Sequence, residues 1–389
     1  MSRWPVVSLD QVAKIERNTI LPTAIDGLAY LGLENIAPGG RITNYSSVSV
    51  GDLASNKFRF TERHVLYGKL RPYLAKIARP QIEGICSTDI LPILPGPKVD
   101  RDYLTHCLRQ PQMVEIANAR ATGTSLPRLS PTALAQFNLP LPPLPEQRRI
   151  AEVLDRAEAL RAKRREAIAR LDQLTQSIFL DMFGDPKVNP CRWPQIRFAD
   201  VIEDGPQNGL YKPSSDYGTG TCILRIDGFY DGVVTGLDSL KRVSVSEFER
   251  ELYGLNENDV VINRVNSIEY LGKSALIPAL TEPVVFESNM MRLRVSLTAI
   301  APRYLIELLQ SRFVKLQILT AAKRAVNQAS INQHDVKGLL LNLPPLALQQ
   351  EFARRVGVVE RVKASQRAHL AELDSLFTSL QDRAFSGRL

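Results

Sequence analysis

The sequence predicts an α+β protein in which two strand-rich α/β globular parts are joined by two long antiparallel helices, with an internal pseudo-two-fold axis. The main observation is a repeat, because residues 141–183 align without a gap on residues 343–385 at a constant offset of 202. The globular segments also repeat, more weakly but in order: Tyr73 falls on Tyr270 and Ser87 on Ser288. A period of about half the chain is too long for a solenoid, whose repeats run to roughly 20–50 residues. The chain is therefore a duplicated unit of one globular part and one helix.

This repeat divides the chain into four predicted parts. They are a first globular domain (1–140), a first spacer helix (141–186), a second globular domain (187–342) and a second spacer helix (343–389). Residues 48–50, 89–94 and 291–295 are strand-like runs of apolar and β-branched residues. Two further segments at equivalent places have helical patterns, residues 101–121 and 302–325.

The repeated segments have the clearest helical pattern. A proline-rich stretch precedes Glu146, and the sequence then contains neither glycine nor proline until Gly184 and Pro186. Proline is tolerated in the first turn of a helix, whereas glycine and proline after the last turn end one. These signals predict a helix of about 38 residues, roughly 57 Å long at 1.5 Å per residue.

Apolar residues in both helices recur at alternating spacings of three and four, as in a coiled-coil seam. The first helix contributes Ile150, Val153, Leu154, Ala157, Leu160, Ile168, Leu171, Leu174 and Ile178. The second contributes Phe352, Val356, Val359, Val362, Leu370, Leu373, Leu376 and Leu380. Arg164 and Gln366 interrupt the seam at the two midpoints. Either they meet near the two-fold axis and fix the register, or each extends outward into solvent.

Composition indicates a soluble cytoplasmic protein with a basic surface. The chain has 389 residues, 44% of them hydrophobic and 23% charged, and a net charge of +8. The charge favours polyanionic partners without identifying one. No segment approaches the roughly 18 apolar residues of a membrane span, and the first ten residues do not resemble a signal peptide. Four dispersed cysteines, Cys86, Cys107, Cys191 and Cys222, are typical of reduced thiols.

Motifs for catalysis or metal binding are missing from the sequence. The run Gly272-Lys273-Ser274 resembles the end of a phosphate-binding loop, but Ser267 stands where that loop requires glycine. The four histidines are dispersed and lack the spacing of metal ligands. We therefore expect a binding protein that is not an enzyme and holds neither metal nor cofactor.

Residue types that contact DNA cluster at equivalent places in the two copies, although each type is also common in ordinary surface loops. Arginine and lysine bind phosphates or guanine edges, and asparagine and glutamine can pair with adenine. The candidates in the first copy are Lys69, Arg71, Tyr73, Lys76, Ser87, Thr88, Arg120, Thr124, Ser125 and Arg128. Those in the second are Asn208, Tyr211, Lys212, Asn263, Arg264, Asn266, Tyr270, Lys273, Ser288, Asn289, Lys323, Arg324, Asn327 and Gln328.

The basic helix segment 148–170 is a second candidate surface for the DNA backbone. Acidic residues are interleaved with its arginines, which favours an ordinary solvated face.

Three stretches of the sequence resemble those of a known family. Because the repeat also matches that family, the resemblance covers essentially the whole sequence. The stretches are Val65-Leu66-Tyr67-Gly68-Lys69-Leu70-Arg71-Pro72-Tyr73-Leu74 with Gly84-Ile85-Cys86-Ser87-Thr88-Asp89, Leu141-Pro142-Pro143-Leu144-Pro145-Glu146-Gln147, and Asn263-Arg264-Val265-Asn266-Ser267 with Tyr270-Leu271-Gly272-Lys273-Ser274. The sequence resembles the specificity (S) subunit of type I restriction-modification enzymes. The second linker departs slightly, with Ala347-Leu348 in place of Pro145-Glu146.

The resemblance implies two target-recognition domains, each reading one half of a split asymmetric site in double-stranded DNA. It also implies partners: two modification (M) subunits that use S-adenosylmethionine to methylate adenine, and restriction (R) subunits that use ATP and Mg²⁺. The chain itself would have no catalytic role. Two alternatives remain open, a specificity subunit of a modification-only or phage-defence system, and a coiled-coil scaffold without a DNA role.

Overall fold

The computed structural model describes residues 4–21, 27–49, 55–326 and 328–389. The chain forms two compact units, which we call unit 1 (Met1–Glu166 with Arg367–Leu389) and unit 2 (Ala167–Gln366). Each unit therefore combines one globular part with about half of each long helix.

The described residues of unit 1 form three sheets and four short α-helices. Its strands are β1 (Val6–Ser8), β2 (Ala13–Ile15), β3 (Thr19–Ile20), β4 (Leu28–Leu31), β5 (Ser46–Val48), β6 (Lys57–Phe60), β7 (Val65–Gly68), β8 (Ile77–Ala78), β9 (Gly84–Cys86), β10 (Ile90–Pro95) and β11 (Asn138–Pro140). The sheet orders are β1-β11, β2-β10-β7-β8 and β3-β6-β9-β4-β5. Its short helices are α1 (Leu9–Val12), α2 (Arg101–Leu108), α3 (Pro111–Ala119) and α4 (Pro131–Ala135).

Unit 2 repeats this plan with additional strands. Its strands are β12 (Gln195–Arg197), β13 (Ile202–Asn208), β14 (Tyr217–Leu224), β15 (Phe229–Tyr230), β16 (Gly232–Val234), β17 (Lys241–Val243), β18 (Val260–Asn263), β19 (Val265–Asn266), β20 (Ser274–Leu276), β21 (Val284–Phe286), β22 (Met290–Val295), β23 (Lys323–Arg324), β24 (Ala329–Ser330) and β25 (Leu340–Asn342). The sheet orders are β12-β25, β13-β22-β18-β20-β16-β15, β17-β14-β21 and β19-β24-β23.

The long helices are α5 (Leu144–Phe183) and α10 (Leu346–Ser386), close to the predicted bounds. The remaining helices of unit 2 are α6 (Glu247–Leu252), α7 (Pro302–Gln310), α8 (Arg312–Ala321) and α9 (Gln333–Lys337). The fold class predicted from the sequence is confirmed. The single helices expected over 101–121 and 302–325 are wrong, because each is two helices. In the second case Ser311 ends α7 and its hydroxyl caps α8, and residues 323–324 then form a strand.

In both units the ends of the long helices pack in the core. The early part of α5 (Ile150, Leu154) shares the core of unit 1 with Phe385, near the end of α10. The late part of α5 shares the core of unit 2 with Phe352, near the start of α10. The two helices are therefore antiparallel within each unit.

Two equivalent aromatic contacts fix these helix ends. In unit 1, the ring of Phe385 lies 5.5 Å from the ring of Tyr103 on α2. In unit 2, the ring of Phe183 lies 4.7 Å from that of Tyr304 on α7. Phe183 and Phe385 are 202 residues apart, so each globular part binds the equivalent end of the helix that the other copy contributes.

A buried glutamine attaches the start of each long helix to its globular part. The Gln147 side chain accepts a hydrogen bond from the Asp100 backbone N–H (2.7 Å) and donates to the carbonyls of Pro142 (2.7 Å) and Lys98 (3.0 Å). Gln349 accepts from the Ala301 N–H and donates to the Pro344 carbonyl, each at 2.8 Å. In both copies of the linker motif, the glutamine is therefore the residue whose side chain joins the helix start to the globular part.

Two equivalent ion pairs connect the long helices. Arg161 of α5 pairs with Asp374 of α10 in unit 1, and its guanidinium lies 4.3 Å from the Phe377 ring centre. In unit 2, Lys363 of α10 pairs with Asp172 of α5. Arg161 and Lys363 are equivalent in the repeat, as are Asp172 and Asp374. Lys363 is buried, which an apolar stripe does not predict.

The predicted seam is partly wrong. Leu160, Leu174, Val362 and Leu376 are between 43% and 54% exposed. Of the other seam positions, six are buried, namely Ile150, Leu154, Ala157, Phe352, Val356 and Val359. The rest are half-buried, namely Val153, Ile168, Leu171, Ile178, Leu370, Leu373, Leu380 and the two midpoint residues Arg164 and Gln366. Within the residues described, no helix has the length and apolarity needed to cross a membrane.

Removing one helix-end phenylalanine should destabilise one unit more than the other. Truncating a buried phenylalanine to alanine costs about 3–5 kcal/mol. We expect Phe385→Ala to accelerate amide hydrogen exchange in α2 of unit 1, and Phe183→Ala to do so in α7 of unit 2. The two variants are each other's control. Equal acceleration of both helices by both variants would contradict this assignment.

The variant Gln147→Ala should lower the stability of the chain to urea. It leaves one N–H and two carbonyls without their partner, and each unsatisfied buried group costs about 1–3 kcal/mol. We expect a total loss of about 2–4 kcal/mol in the free energy of unfolding. The control is Gln176→Ala, an exposed glutamine on the same helix, with an expected change within about 0.5 kcal/mol. Equal urea midpoints for both variants would show that Gln147 is not an anchor.

Candidate nucleic-acid interface

Three of the predicted segments of unit 1 meet at one place, held mainly by backbone hydrogen bonds. The Arg71 N–H donates to the Pro127 carbonyl at 2.8 Å, and the Leu129 N–H donates to the Lys69 carbonyl at 2.9 Å. These bonds join the loop after β7 to the loop before α4. The Lys69 N–H donates to the carbonyl of Asp89 at 2.9 Å, which adds the turn before β10.

Side chains also connect these segments. The Lys69 ammonium donates to the Thr88 carbonyl at 2.7 Å and lies 3.3 Å from the Asp89 carboxylate. The Arg128 guanidinium lies 3.6 Å from the same carboxylate. Arg71 has a left-handed backbone (φ 48°), a conformation that is uncommon for residues other than glycine and is often associated with functional loops.

The predicted residues of unit 1 differ in how far they reach solvent. Six are exposed: Arg71, Tyr73, Arg120, Thr124, Ser125 and Arg128. Four are half-buried: Lys69, Lys76, Ser87 and Thr88. Lys76 donates to the Leu33 carbonyl at 2.7 Å, so its ammonium lies against the main chain.

Unit 2 brings its segments together with the same backbone connections. The Ile331 N–H donates to the Arg264 carbonyl at 2.9 Å, and the Arg264 N–H donates to the Asn289 carbonyl at 2.8 Å. The Arg264 guanidinium donates to the Ser288 carbonyl at 3.1 Å. Strand β24 pairs with both β19 and β23, which places Lys323 and Arg324 in the same small sheet as Asn266.

A fourth segment of unit 2 lies beside the same turn. The Gly209 N–H donates to the Met290 carbonyl at 3.1 Å and the Leu210 N–H to the Phe286 carbonyl at 2.8 Å. Asn208 and Tyr211 are exposed on either side of these bonds, Tyr211 by 78%.

The other predicted residues of unit 2 also vary in exposure. Tyr270, Lys323, Arg324 and Gln328 are exposed, and the half-buried ones are Lys212, Arg264, Asn266, Lys273, Ser288 and Asn289. The Lys212 ammonium is paired with Glu249 at 2.9 Å. Asn263 is fully buried at the end of β18, where its side chain does not reach solvent. Asn327 lies outside the described residues.

The ammonium of Lys273 lies between a backbone carbonyl and an aromatic ring, which the sequence does not predict. Its ammonium donates to the Ile226 carbonyl at 2.6 Å and lies 3.8 Å from the ring centre of Tyr230. Burial lowers the pKa of this lysine. Tyr230 is 45% exposed and packs edge-on against Tyr270, so it belongs to this surface although sequence reasoning missed it. An exposed aromatic pair beside a cation is a signal that only the folded chain makes visible.

The two copies share a framework and differ in their side chains. Lys69 and Arg264 are equivalent, and both donate to the turn before the long central strand, β10 or β22. Lys76 and Lys273 are equivalent, and both donate to a carbonyl after β4 or β14. The side chains that remain exposed around this framework differ between the copies.

The described residues contain one group with metal-ligand geometry: His106, Asp155 and Glu158. Its acids are already bound by cations, because Arg79 makes two hydrogen bonds to Asp155 and Arg109 contacts Glu158. Burial opposes ionisation of Asp155, but the hydrogen bonds from His106 and Arg79 hold its pKa below the usual range. This cluster attaches α5 to the body of unit 1, and the expectation that the chain holds no metal stays a prediction.

Some arginines of helix α5 form ion pairs with glutamates of the same helix. Arg149 is bound by Glu146 at 2.8 Å, and Arg156 pairs with Glu152. Such pairs one turn apart are typical of a solvated helix face.

Comparison with known proteins agrees with this organisation. A family model described as the type I restriction modification DNA specificity domain matches residues 1–170. The chain is 29% identical over 187 residues to the specificity subunit of the type I restriction enzyme EcoDI of Escherichia coli, covering 47% of this chain and 42% of the relative. It is 26% identical over 308 residues to the EcoKI specificity subunit of E. coli K12, covering 74% and 65%. The chain thus spans less than two thirds of the length of these relatives.

Two solved structures share the fold. One is a chain from a study of complex assembly and conformational transition of the type I R-M system, with a TM-score of 0.57, 23% identity, and coverage of 99% of this chain and 98% of that one. The other is the type I restriction-modification S subunit of M. genitalium, with a TM-score of 0.60, 12% identity, and coverage of 99% and 96%.

Proposed function

We propose that this chain belongs to the family of specificity subunits of type I restriction-modification systems and recognises a bipartite, asymmetric site in double-stranded DNA. Each unit reads one half of the site through the segments assembled around Lys69 or Arg264. The chain contributes recognition and positioning in the cytoplasm, and the chemistry belongs to its partners.

One observation carries the proposal: both units assemble distant segments with the same backbone bonds but expose different side chains. The framework shared by the two units would keep the same docking geometry, while the exposed residues would contact the bases. Unit 1 presents mainly Arg, Tyr, Thr and Ser, and unit 2 adds Asn and Gln, which suit adenine. Two such surfaces would recognise two different half-sites, as an asymmetric DNA site requires.

The partners we propose are two copies of a modification subunit that binds S-adenosylmethionine and methylates adenine. Leu160 is equivalent to Val362, and Leu174 to Leu376. All four are exposed apolar residues, an exposed pair in each unit. Apolar residues repeated in this way offer the same contact twice, and therefore suit two copies of one protein. Restriction subunits using ATP and Mg²⁺ would join the same complex.

Removing an exposed arginine of either interface should weaken binding of the target DNA. We expect Arg71→Ala and Arg324→Ala each to lower affinity by about 10-fold or more, as a lost base contact is worth about 1–3 kcal/mol. A phosphate contact would instead reduce the slope of log K against log salt by about 0.9. The measurement is a titration of fluorescent target DNA with the chain assembled with its modification subunits.

Arg250→Ala is the matched control, because Arg250 is a partly exposed arginine of α6 that pairs with Glu247. Unchanged affinity in both Arg71→Ala and Arg324→Ala would argue against these surfaces as the DNA interface. A complex that methylates DNA at a continuous palindrome would contradict the reading of two half-sites.

Lengthening both long helices together should widen the unread gap between the half-sites. Four residues inserted after Glu166 and four after Gln366 add about 6 Å to each helix and leave the contacts within each unit intact. We expect the gap to grow by about two base pairs, measured by mapping methylated adenines in a genome. The control inserts four residues in the exposed loop at Thr281, between β20 and β21. An unchanged gap in a folded, active variant would show that the helices do not set the spacing.

A further inference from the structure

We propose that Asp89 masks the cations of the unit 1 interface and so suppresses binding of random-sequence DNA, an inference that rests on the proposed function. Masking means that the Asp89 carboxylate stays paired with Lys69 and Arg128 until a phosphate of matching DNA takes its place as their partner. Asp89 is therefore a specificity-determining residue, although it bears the same charge as DNA.

The Asp89 carboxylate lies between two cations of the interface. Asp89 lies 3.3 Å from the Lys69 ammonium and 3.6 Å from the Arg128 guanidinium, so it connects two of the three segments of the interface. Its backbone is fixed on both sides, because its carbonyl accepts from the Lys69 N–H at 2.9 Å and its own N–H donates to the Ser87 hydroxyl at 3.2 Å. These bonds hold the backbone of Asp89 beside Lys69, so its carboxylate stays within reach of both cations.

DNA binding changes the balance of charge around Asp89. The side chains of Lys69, Asp89 and Arg128 are 22%, 26% and 55% exposed, so solvent weakens their pairs and a phosphate can compete for the cations. A phosphate that takes them leaves Asp89 without its partners beside a second anion. This cost is offset where the base nearby offers an exocyclic amine, as cytosine and adenine do in the major groove. Every base pair carries one such amine, but matching DNA places it within reach of the carboxylate, whereas in random DNA it often lies on the other strand.

Unit 2 has the same framework without this carboxylate. The residue equivalent to Asp89 is Asn289, because its carbonyl accepts from the Arg264 N–H as that of Asp89 does from the Lys69 N–H. Asn289 is half-buried and uncharged. Arg264, equivalent to Lys69, donates to the neutral carbonyl of Ser288. The nearby carboxylate of Glu287 is bound by Arg225 and by the Ile226 N–H. The same framework thus occurs once with the masking acid and once without it.

The test replaces Asp89 with asparagine, which keeps the size of the side chain and removes its charge. We expect Asp89→Asn, assembled with its modification subunits, to bind a random duplex about 5- to 10-fold more tightly at low salt. The slope of log K against log salt should steepen by about 1 to 2, because each freed cation that takes a phosphate adds about 0.9. The ratio of target to random affinity should fall.

Glu83→Gln is the matched control, since it makes the same change in net charge at an exposed residue beside a cleft lined by Glu16 and His64. Its salt slope should stay that of the wild type. Equal slopes for Asp89→Asn and Glu83→Gln would overturn the masking role. So would a loss of target affinity with unchanged random binding, which would make Asp89 a base contact alone. A wild-type complex that binds neither duplex would overturn the proposed function, and this inference with it.

Discussion

Each globular unit depends on a helix end that the other copy of the repeat supplies. Phe385 packs on Tyr103 in unit 1 and Phe183 packs on Tyr304 in unit 2, so neither copy completes its own core. The buried glutamines at the helix starts fix the opposite ends. With both ends held, the ion pairs of Arg161 and Lys363 add charged contacts at equivalent places. The positions of the interface loops follow from this scaffold, because they emerge from sheets packed on it.

The long helices were predictable because their signals are local: a proline-rich start, an uninterrupted apolar period, and glycine and proline at the end of the first. The failures were not local. Ser311 divides one predicted helix because its hydroxyl caps the next, and Lys323 becomes extended because β23 pairs with β24. The burial of Lys363 depends on Asp172, which lies far away in the sequence. A stripe of apolar residues carries no information about such partners.

The candidate interface shows the same division. Its segments could be chosen from residue types at repeated positions, but their meeting depends on backbone bonds between loops that are distant in the chain. Asn263 looks like a base-reading residue and is buried, because it ends a central strand of the six-stranded sheet. Lys76 and Lys273 look free, yet each ammonium binds a carbonyl. The sequence does not single out Tyr230, because its place in the interface depends on contacts with Tyr270 and Lys273 that form only in the folded chain.

The exchange of helix ends also sets an order of events during synthesis. Unit 2 consists of residues 167–366 and can close its core once they have left the ribosome. Unit 1 needs Phe377, Ala384 and Phe385, which are made after all of unit 2. Domains generally fold in the order in which they are synthesised. Here the order is reversed for the last step, because the globular part that is synthesised first is the last to complete its core. Until the second long helix is made, apolar surface of α2 and α5 stays accessible to chaperones.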